Sequence, residues 1–353
     1  MKKIVVTAIL FTICWPSFGQ TVSSVSGSVS HGQSVTVSGS AFGSKTVAGP
    51  VVFDNIETGS FSGGWSNTES LDVVSESRHG NSTHSGHLDF QGSVGTNLGY
   101  FTGGSNSPSW FVQYWFKLDA NFDWGTGGYG SGDDNLANVK LFRMWSTGGT
   151  NENFVLATMG YAGGSLQYTA ENVSDPRGQA YFGDVDNWSK DTWHLFQFEY
   201  KDSGQGSNDG VFRWWVDGTL FVEDTDLMTR ESSSDYKRPL IVGFYDSWND
   251  SNTDEDDWYI DDAYIDNTWS RVELGNSSVY GSCTHREIQI PTAWATNEIT
   301  VTVNQGSFAA DDAAYLFVVD ADGNVSDGYA VTIGASESAS ITAPTSLTAN
   351  KVE

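Results

Sequence analysis

The sequence predicts an all-β protein of sandwich type, and three observations carry that expectation. Apolar residues recur at every second position over short runs, and no long stretch has the 3.6-residue repeat of an amphipathic helix. Gly, Ser, Asn and Asp break these runs, with 39 Gly among 353 residues available for turns. Charged residues are only 17% of the chain while aromatics reach 14%, including 14 Trp, which need a use beyond core filling because a buried indole needs an N–H partner.

The length allows two domains with a sizeable core. A formal net charge of −27 disfavours nucleic acid and anionic membranes as partners. It also opposes a polyanionic ligand unless a local basic patch overrides the field.

Taken in order, residues 1–19 hold Lys2 and Lys3, an apolar middle over 4–14, and small residues at Ser17 and Gly19. That pattern predicts a secretory signal peptide cleaved near Gly19 or Gln20, and so an extracellular or periplasmic protein. Ile13 before Cys14 does not suit a lipoprotein signal. The mature chain keeps only Cys283, so no intrachain disulfide is expected, and Cys283 reads as a small buried hydrophobe. No later apolar run is long enough to span a bilayer.

Residues 34–38 read as a strand between Gly-containing turns. Further on, residues 110–118 alternate cleanly. Trp110, Val112, Tyr114, Phe116 and Leu118 fall on one face, with Phe111, Gln113, Trp115 and Lys117 on the other. In 139–145, alternation sets Val139, Leu141, Arg143 and Trp145 against Lys140, Phe142 and Met144. Residues 166–171 set Leu166, Tyr168 and Ala170 against Gln167, Thr169 and Glu171. Residues 193–217 predict a hairpin. Its first strand sets His194, Phe196, Phe198 and Tyr200 against Trp193, Leu195, Gln197 and Glu199; its second sets Phe212, Trp214 and Val216 against Arg213 and Trp215. Residues 240–245 are nearly all apolar, as in a central strand, and 298–303, 314–319 and 329–333 read as later strands. The Gly-rich segment 123–134 reads as a rim loop, and DADGN at 320–324 as a plain β-turn. The polar segment 336–353 reads as a linker or disordered tail.

Two resemblances follow. His31-Gly32-Gln33 before the strand at 34–38 and Gly39-Ser40-Ala41-Phe42-Gly43 after it resemble the opening of an IPT/TIG domain, a small immunoglobulin-like sandwich. Residues 286–333 look like its closing half. Between them, Asp54, Glu57 and Gly59, the strand-Asp-Gly-strand hairpin at 214–222 and the closing strand at 258–266 resemble the concanavalin A-like jelly rolls, which include laminin-G-like lectin modules and polysaccharide lyases. The resemblances imply a jelly-roll β-sandwich over 53–275 inserted into a small discontinuous immunoglobulin-like β-sandwich formed by 20–52 plus 284–335. Insertion at a loop tip is permissible when its ends lie close.

Function is expected on the mixed faces. Gln113, Trp115, Lys117, Arg143, Trp145, Trp193, Gln197, Glu199, Arg213 and Trp215 would converge if their strands were neighbours in one concave sheet. Indole faces stack on the C–H patches of sugars, while Arg, Gln and Glu fix hydroxyls or a carboxylate. The expected partner is therefore an extracellular polysaccharide. The competing reading is a solvent face or a sheet covered by the neighbouring domain. A third reading is a surface adhesion or assembly module. The E-x-D-x-x-E carboxylate set of laminarinase-like hydrolases is absent, which lowers the case for glycoside hydrolysis. The resemblance to jelly-roll lyases would instead use Arg143, Arg213, Gln197 or Lys117 to neutralise a uronate carboxylate, with His194, Tyr114 or Tyr168 as base, although alternation puts each of these bases on the apolar side.

For metals, the jelly-roll resemblance implies a structural calcium held by Asp54, Glu57, Asp261 and Asp262. The acidic run 250–256 reads as a solvated loop or a second calcium candidate, with Glu255 where an EF-hand loop needs Gly. His79, His84 and His87 have no strong zinc spacing and read as surface-turn residues.

Overall fold

A computed structural model describes residues 19–62, 65, 71–89, 105–122, 139–146, 148, 151–158, 165–174, 180–184, 188–232, 234–246, 257–334 and 336–337. The described secondary structure is antiparallel β apart from a short 3-10 turn at Tyr280–Ser282. β1 (Thr21–Ser28) and β2 (Ser34–Ser40) come first. β3 (Val52–Asp54), β4 (Asp72–Val74), β5 (Ser85–Asp89) and β6 (Ser109–Leu118) follow. Next are β7 (Val139–Trp145), β8 (Phe154–Thr158), β9 (Ser165–Ala170) and β10 (Ala180–Asp184). β11 (Trp193–Lys201), β12 (Gly210–Val216), β13 (Thr219–Leu227), β14 (Arg238–Asp246) and β15 (Asp257–Asp266) complete the middle of the chain. β16 (Arg271–Gly275), β17 (Arg286–Ala295), β18 (Glu298–Thr302), β19 (Ala313–Val319), β20 (Tyr329–Thr332) and β21 (Ser336–Glu337) close it.

The middle of the chain folds into two facing sheets. The larger runs β13-β12-β11-β6-β15-β5-β4, with β3 beside β15; the smaller runs β10-β9-β8-β7-β14. Alternation decides what lies between them. Tyr114, Phe116, Phe196, Phe198, Phe212 and Trp214 from the large sheet meet Phe142, Phe154, Leu156 and Phe244 from the small one. Phe142 stacks on Phe198 with ring centroids 4.6 Å apart, and Phe244 on Trp258 at 4.9 Å. Trimming any one of these buried rings to Ala removes a contact set worth about 3–5 kcal/mol. The β12–β13 turn is two residues, with Asp217 (φ 48°) and Gly218 (φ 77°) both in the left-handed region that a tight hairpin turn requires.

Both ends of the chain build a second unit. Its strand order is β20-β19-β16-β17-β18-β2-β1-β21. β17 belongs to both halves: residues 286–289 pair with β16, and Ile290 onward pairs with β18 across a bulge at Pro291–Ala293. Val25, Val35, Val37, Ile299 and Val301 pack against Val272, Leu274, Leu316, Val318 and Val331. The strand at 271–275, assigned from sequence to the inserted segment, pairs instead with β17 and β19. Its Val272 and Leu274 fill the second core while Arg271 and Glu273 point to the large sheet. The boundary therefore lies near residue 270. Ser336 and Glu337, expected in a tail, pair with Ser28 and Gly27 of β1. At 320–324, the Gly323 N–H donates to the Asp320 carbonyl and closes the expected turn.

The second unit sits on the outer face of the large sheet. Phe111, Tyr264, Trp269 and Ile288 form a small apolar cluster across the junction. Ionic groups surround it. Arg271 donates to Glu199 (2.9 Å) and Glu273 (3.0 Å), and Arg286 and Gln197 complete that network. Arg78 reaches Glu287 (2.9 Å) and Asp262, with Asn304 donating to Asp262. Lys45 bonds Asp266 at 2.5 Å. Charges this deeply buried persist only when paired and hydrogen-bonded.

Candidate functional site

The ten residues expected to share one groove do not share a face. Gln113, Trp115, Gln197 and Glu199 are on the large sheet and buried under the second unit, none more than 5% exposed. Gln197 donates to Gln113 (3.1 Å) and Glu273 (2.8 Å) and accepts from Arg286. Trp115 lies beneath the Arg78 guanidinium, 4.3 Å from its ring. Lys117 and Trp193 lie apart from these, with Lys117 paired to Glu76 (2.6 Å) and 4.5 Å from the Tyr259 ring. Arg213 is spread between Glu199 (3.0 Å) and Glu223 (2.9 Å), and Trp215 is half-buried two residues on along β12. The face that alternation marked as mixed is thus largely an interdomain junction, where Glu273, Arg286 and Arg271 of the second unit meet Gln197 and Glu199.

The candidate bases are occupied as well. The Tyr114 hydroxyl is fully buried and donates to the Leu141 carbonyl at 2.7 Å; burial pushes it well above the usual phenol range. His194 lies between Asp217 (2.7 Å) and the Ser189 carbonyl (2.9 Å). Burial alone would lower its pKa, but the Asp217 hydrogen bond and charge outweigh it and raise the value.

The four carboxylates expected around calcium accept from nitrogen donors and from the hydroxyls of Ser82 and Thr83. Asp54 accepts from the N–H groups of Ile56, Ser62 and Trp65. Glu57 accepts from Thr83 and His84. Asp261 accepts from Ser82, and burial together with Asp262 pushes it well above the carboxylate range. Asp262 is held down by Arg78 despite its burial. Among the described residues no group of three or more His, Cys, Asp and Glu is placed to hold a metal ion. His79 approaches Asp262 (3.8 Å), His84 bonds Thr83 and His87 bonds Asp257, each pointing elsewhere. The segments 123–134 and 250–256 lie outside the described residues. Cys283 is buried, as expected.

The outer face of the five-stranded sheet is different. Arg143 and Trp145 are there, the guanidinium 4.7 Å from the indole centroid. Lys140 joins them through a bulge. The pairing of β7 with β8 shifts between Lys140 and Phe142, so Leu141 and Phe142 both enter the core while Lys140 and Arg143 both face out. Simple alternation had separated Lys140 from Arg143, which is why Lys140 was missed.

The register sets out two rows across this sheet. One runs Tyr245, Lys140, Ala157, Gln167, Tyr181. The other runs Ile241, Arg143, Val155, Thr169. Gln167 is only 6% exposed, yet its Oε1 accepts no hydrogen bond among the described residues, and the Arg143 Nε donates none. Arg143 Nη2 donates to Glu171 at 2.7 Å, and Glu171 is about one-third exposed. Ala157 (2% exposed) and Val155 (6%) lie between the polar positions, so this face sets a cation and an amide beside short apolar side chains. Such a surface can take a planar carboxylate on the Arg fork, a hydroxyl on the amide and a sugar ring on the indole.

No family model matches this sequence, and no curated protein matches it. Solved structures do. An alginate lyase of type PL-14 from Aplysia kurodai aligns over 57% of this chain and 88% of its own, with 13% identity and a TM-score of 0.38. An endo-β-1,4-glucuronan lyase from the fungus Trichoderma reesei aligns over 62% and 96%, with 13% identity and a TM-score of 0.43. An alginate lyase from a Chlorella virus aligns over 62% and 99%, with 14% identity and a TM-score of 0.40. These are likenesses of fold.

Proposed function

We propose that this protein recognises a uronate-containing extracellular polysaccharide on the outer face of its five-stranded sheet. The observation that carries the reading is the convergence of Lys140, Arg143, Gln167 and Trp145 on the sheet face that the second unit does not cover. In a chain with net charge −27, Lys140 and Arg143 bring two cations onto one sheet face, where a ligand carboxylate would compete with Glu171 for Arg143. Gln167 supplies an acceptor for sugar hydroxyls, and Trp145 an apolar platform. Glu171 neutralises Arg143 in the free protein and, being partly exposed, can yield to a ligand carboxylate.

The test is titration calorimetry of the mature protein with alginate, glucuronan and a neutral β-glucan. Binding is expected for an acidic polymer, with Arg143→Ala weakening it about tenfold or more, as befits a lost charge-assisted pair of hydrogen bonds. Acidic polymers that fail to bind, or an Arg143→Ala variant that binds as wild type, would refute the assignment.

A second reading is cleavage of the same polymer by β-elimination. Lys140 and Gln167 share one register row with Ala157 between them, and a cation beside an amide is a pair that could neutralise a uronate carboxylate during elimination. Absorbance growing at roughly 235 nm during incubation with the polymer, from the new conjugated double bond, tests it. A flat trace on every polymer that binds leaves recognition alone.

A further inference from the structure

The second unit does not cover the whole of the large sheet. It covers β11 and reaches the β12–β13 turn, where Gly218 meets Cys283, and the outer face of β12 forms the wall of a step between the two units. Two clefts follow that wall. One, of about 430 Å3, is lined by Val211, Arg213, Lys201, Trp269 and Asp322. The other, of about 390 Å3, is lined by Trp215, Leu220, Tyr280 and Thr284 among others. Val211, Arg213 and Trp215 alternate along one strand face, so the clefts share a wall about 13 Å long. Both volumes fall within the ~300–1,000 Å3 of small-ligand sites.

The walls are fixed before any ligand arrives. The Trp269 indole N–H donates to the carbonyls of Trp110 (3.0 Å) and Tyr200 (3.2 Å), and the Arg213 guanidinium lies 5.5 Å from the Trp269 ring. At the other end Gly218 presses on the Cys283 backbone so closely that an added Cβ would lie 2.0 Å from the Cys283 carbonyl oxygen. Asp217 beside it is tied to His194 and to the Leu195 N–H. A rigid trough with indole, phenol and hydroxyl groups suits a chain of sugar rings, because little ordering entropy is lost on binding.

Charge selects the kind of sugar. Arg213 is already neutralised by Glu199 and Glu223, and Arg286 lies against Gln197 and Glu273. Lys201 and Asp322 line the same cleft with opposite charges. No surplus of positive charge is present to draw a polyanion into an acidic molecule. We propose that this step is a second carbohydrate site, separate from the five-stranded sheet, and that it binds a neutral oligosaccharide stretch with Trp215 as the stacking platform.

The experiment is affinity electrophoresis of the mature protein through gels containing mixed-linkage β-glucan, xylan or galactomannan. At least one neutral glycan is expected to retard the wild type, and Trp215→Ala is expected to lose that retardation at least tenfold while Arg143→Ala keeps it. Leu220→Arg decides the matter if Trp215→Ala does not fold. Leu220 is 44% exposed, so the substitution blocks the cleft without touching the core. Three outcomes overturn the proposal: no retardation by any neutral glycan, loss of retardation in Arg143→Ala, or full retention in Leu220→Arg. Each leaves the acidic-polymer reading of the other face standing, because that reading is scored on uronate polymers.

Discussion

Lys140 and Arg143 are three residues apart, a spacing that should put them on opposite faces of a strand. One bulge reverses that outcome, and the candidate site depends on it. Sequence alternation identified Arg143 and Trp145 as outward-facing but could not reveal the bulge, because the doubled inward pair Leu141–Phe142 appears in sequence as an ordinary apolar run. Gln167 was legible as outward-facing, but its neighbours were not, since they come from strands that are distant in sequence. His194 shows a different limit. Its place on the apolar side of β11 was readable; its pairing with the turn residue Asp217 was not. That pairing has a pH signature. The folded His194 pKa is raised above its ordinary 6.5, so the stability it contributes is complete below that value and is lost as pH rises through the folded pKa. The thermal midpoint of wild type should therefore decline relative to that of His194→Gln as pH rises from about 6 through the folded pKa; parallel profiles would contradict the assignment.

At the level of elements, strand positions were the most readable feature of the chain. β7 occupies the residues that alternation marked, and β6, β11, β12 and β15 differ from expectation by a residue or so. The purpose of their second faces was not readable. Gln113, Trp115, Gln197 and Glu199 look like a ligand surface because polar groups beside aromatics serve an interdomain junction as well as a sugar site. Only the partner strands β16 and β17 distinguish the two, and they bring Arg271, Glu273, Arg286 and Glu287. The Arg78–Glu287 pair is the clearest energetic test of that junction. Burial pushes the Glu287 carboxylate up, yet Arg78 and His285 outweigh it and hold it well below the usual range. Arg78→Ala leaves Glu287 and Asp262 buried without their cation and is expected to cost about 3–5 kcal/mol in urea unfolding. A loss below about 1 kcal/mol would mean that the junction opens to water.

Over the whole molecule, the two ends of the chain meet in one sheet, with residues 298–302 of β18 beside residues 34–38 of β2. The inserted sandwich is therefore held at both its entrance and its exit, and the polar junction locks its large sheet to the second unit. The two units should unfold together, so calorimetry is expected to give one transition whose calorimetric and van't Hoff enthalpies agree; two resolved transitions would show that the junction does not couple them. The same arrangement directs function. Much of the large sheet's outer face is covered, and Lys140, Arg143 and Gln167 lie instead on the outer face of the five-stranded sheet, where the acidic polymer is proposed to bind. The measurement that tests this most directly is calorimetric titration of wild type, Arg143→Ala and Gln167→Ala with a uronate polymer. Wild type is expected to bind, and both variants to lose affinity about tenfold or more with unchanged thermal midpoints. Equal binding by all three proteins would contradict it and move the acidic-polymer site off the five-stranded sheet.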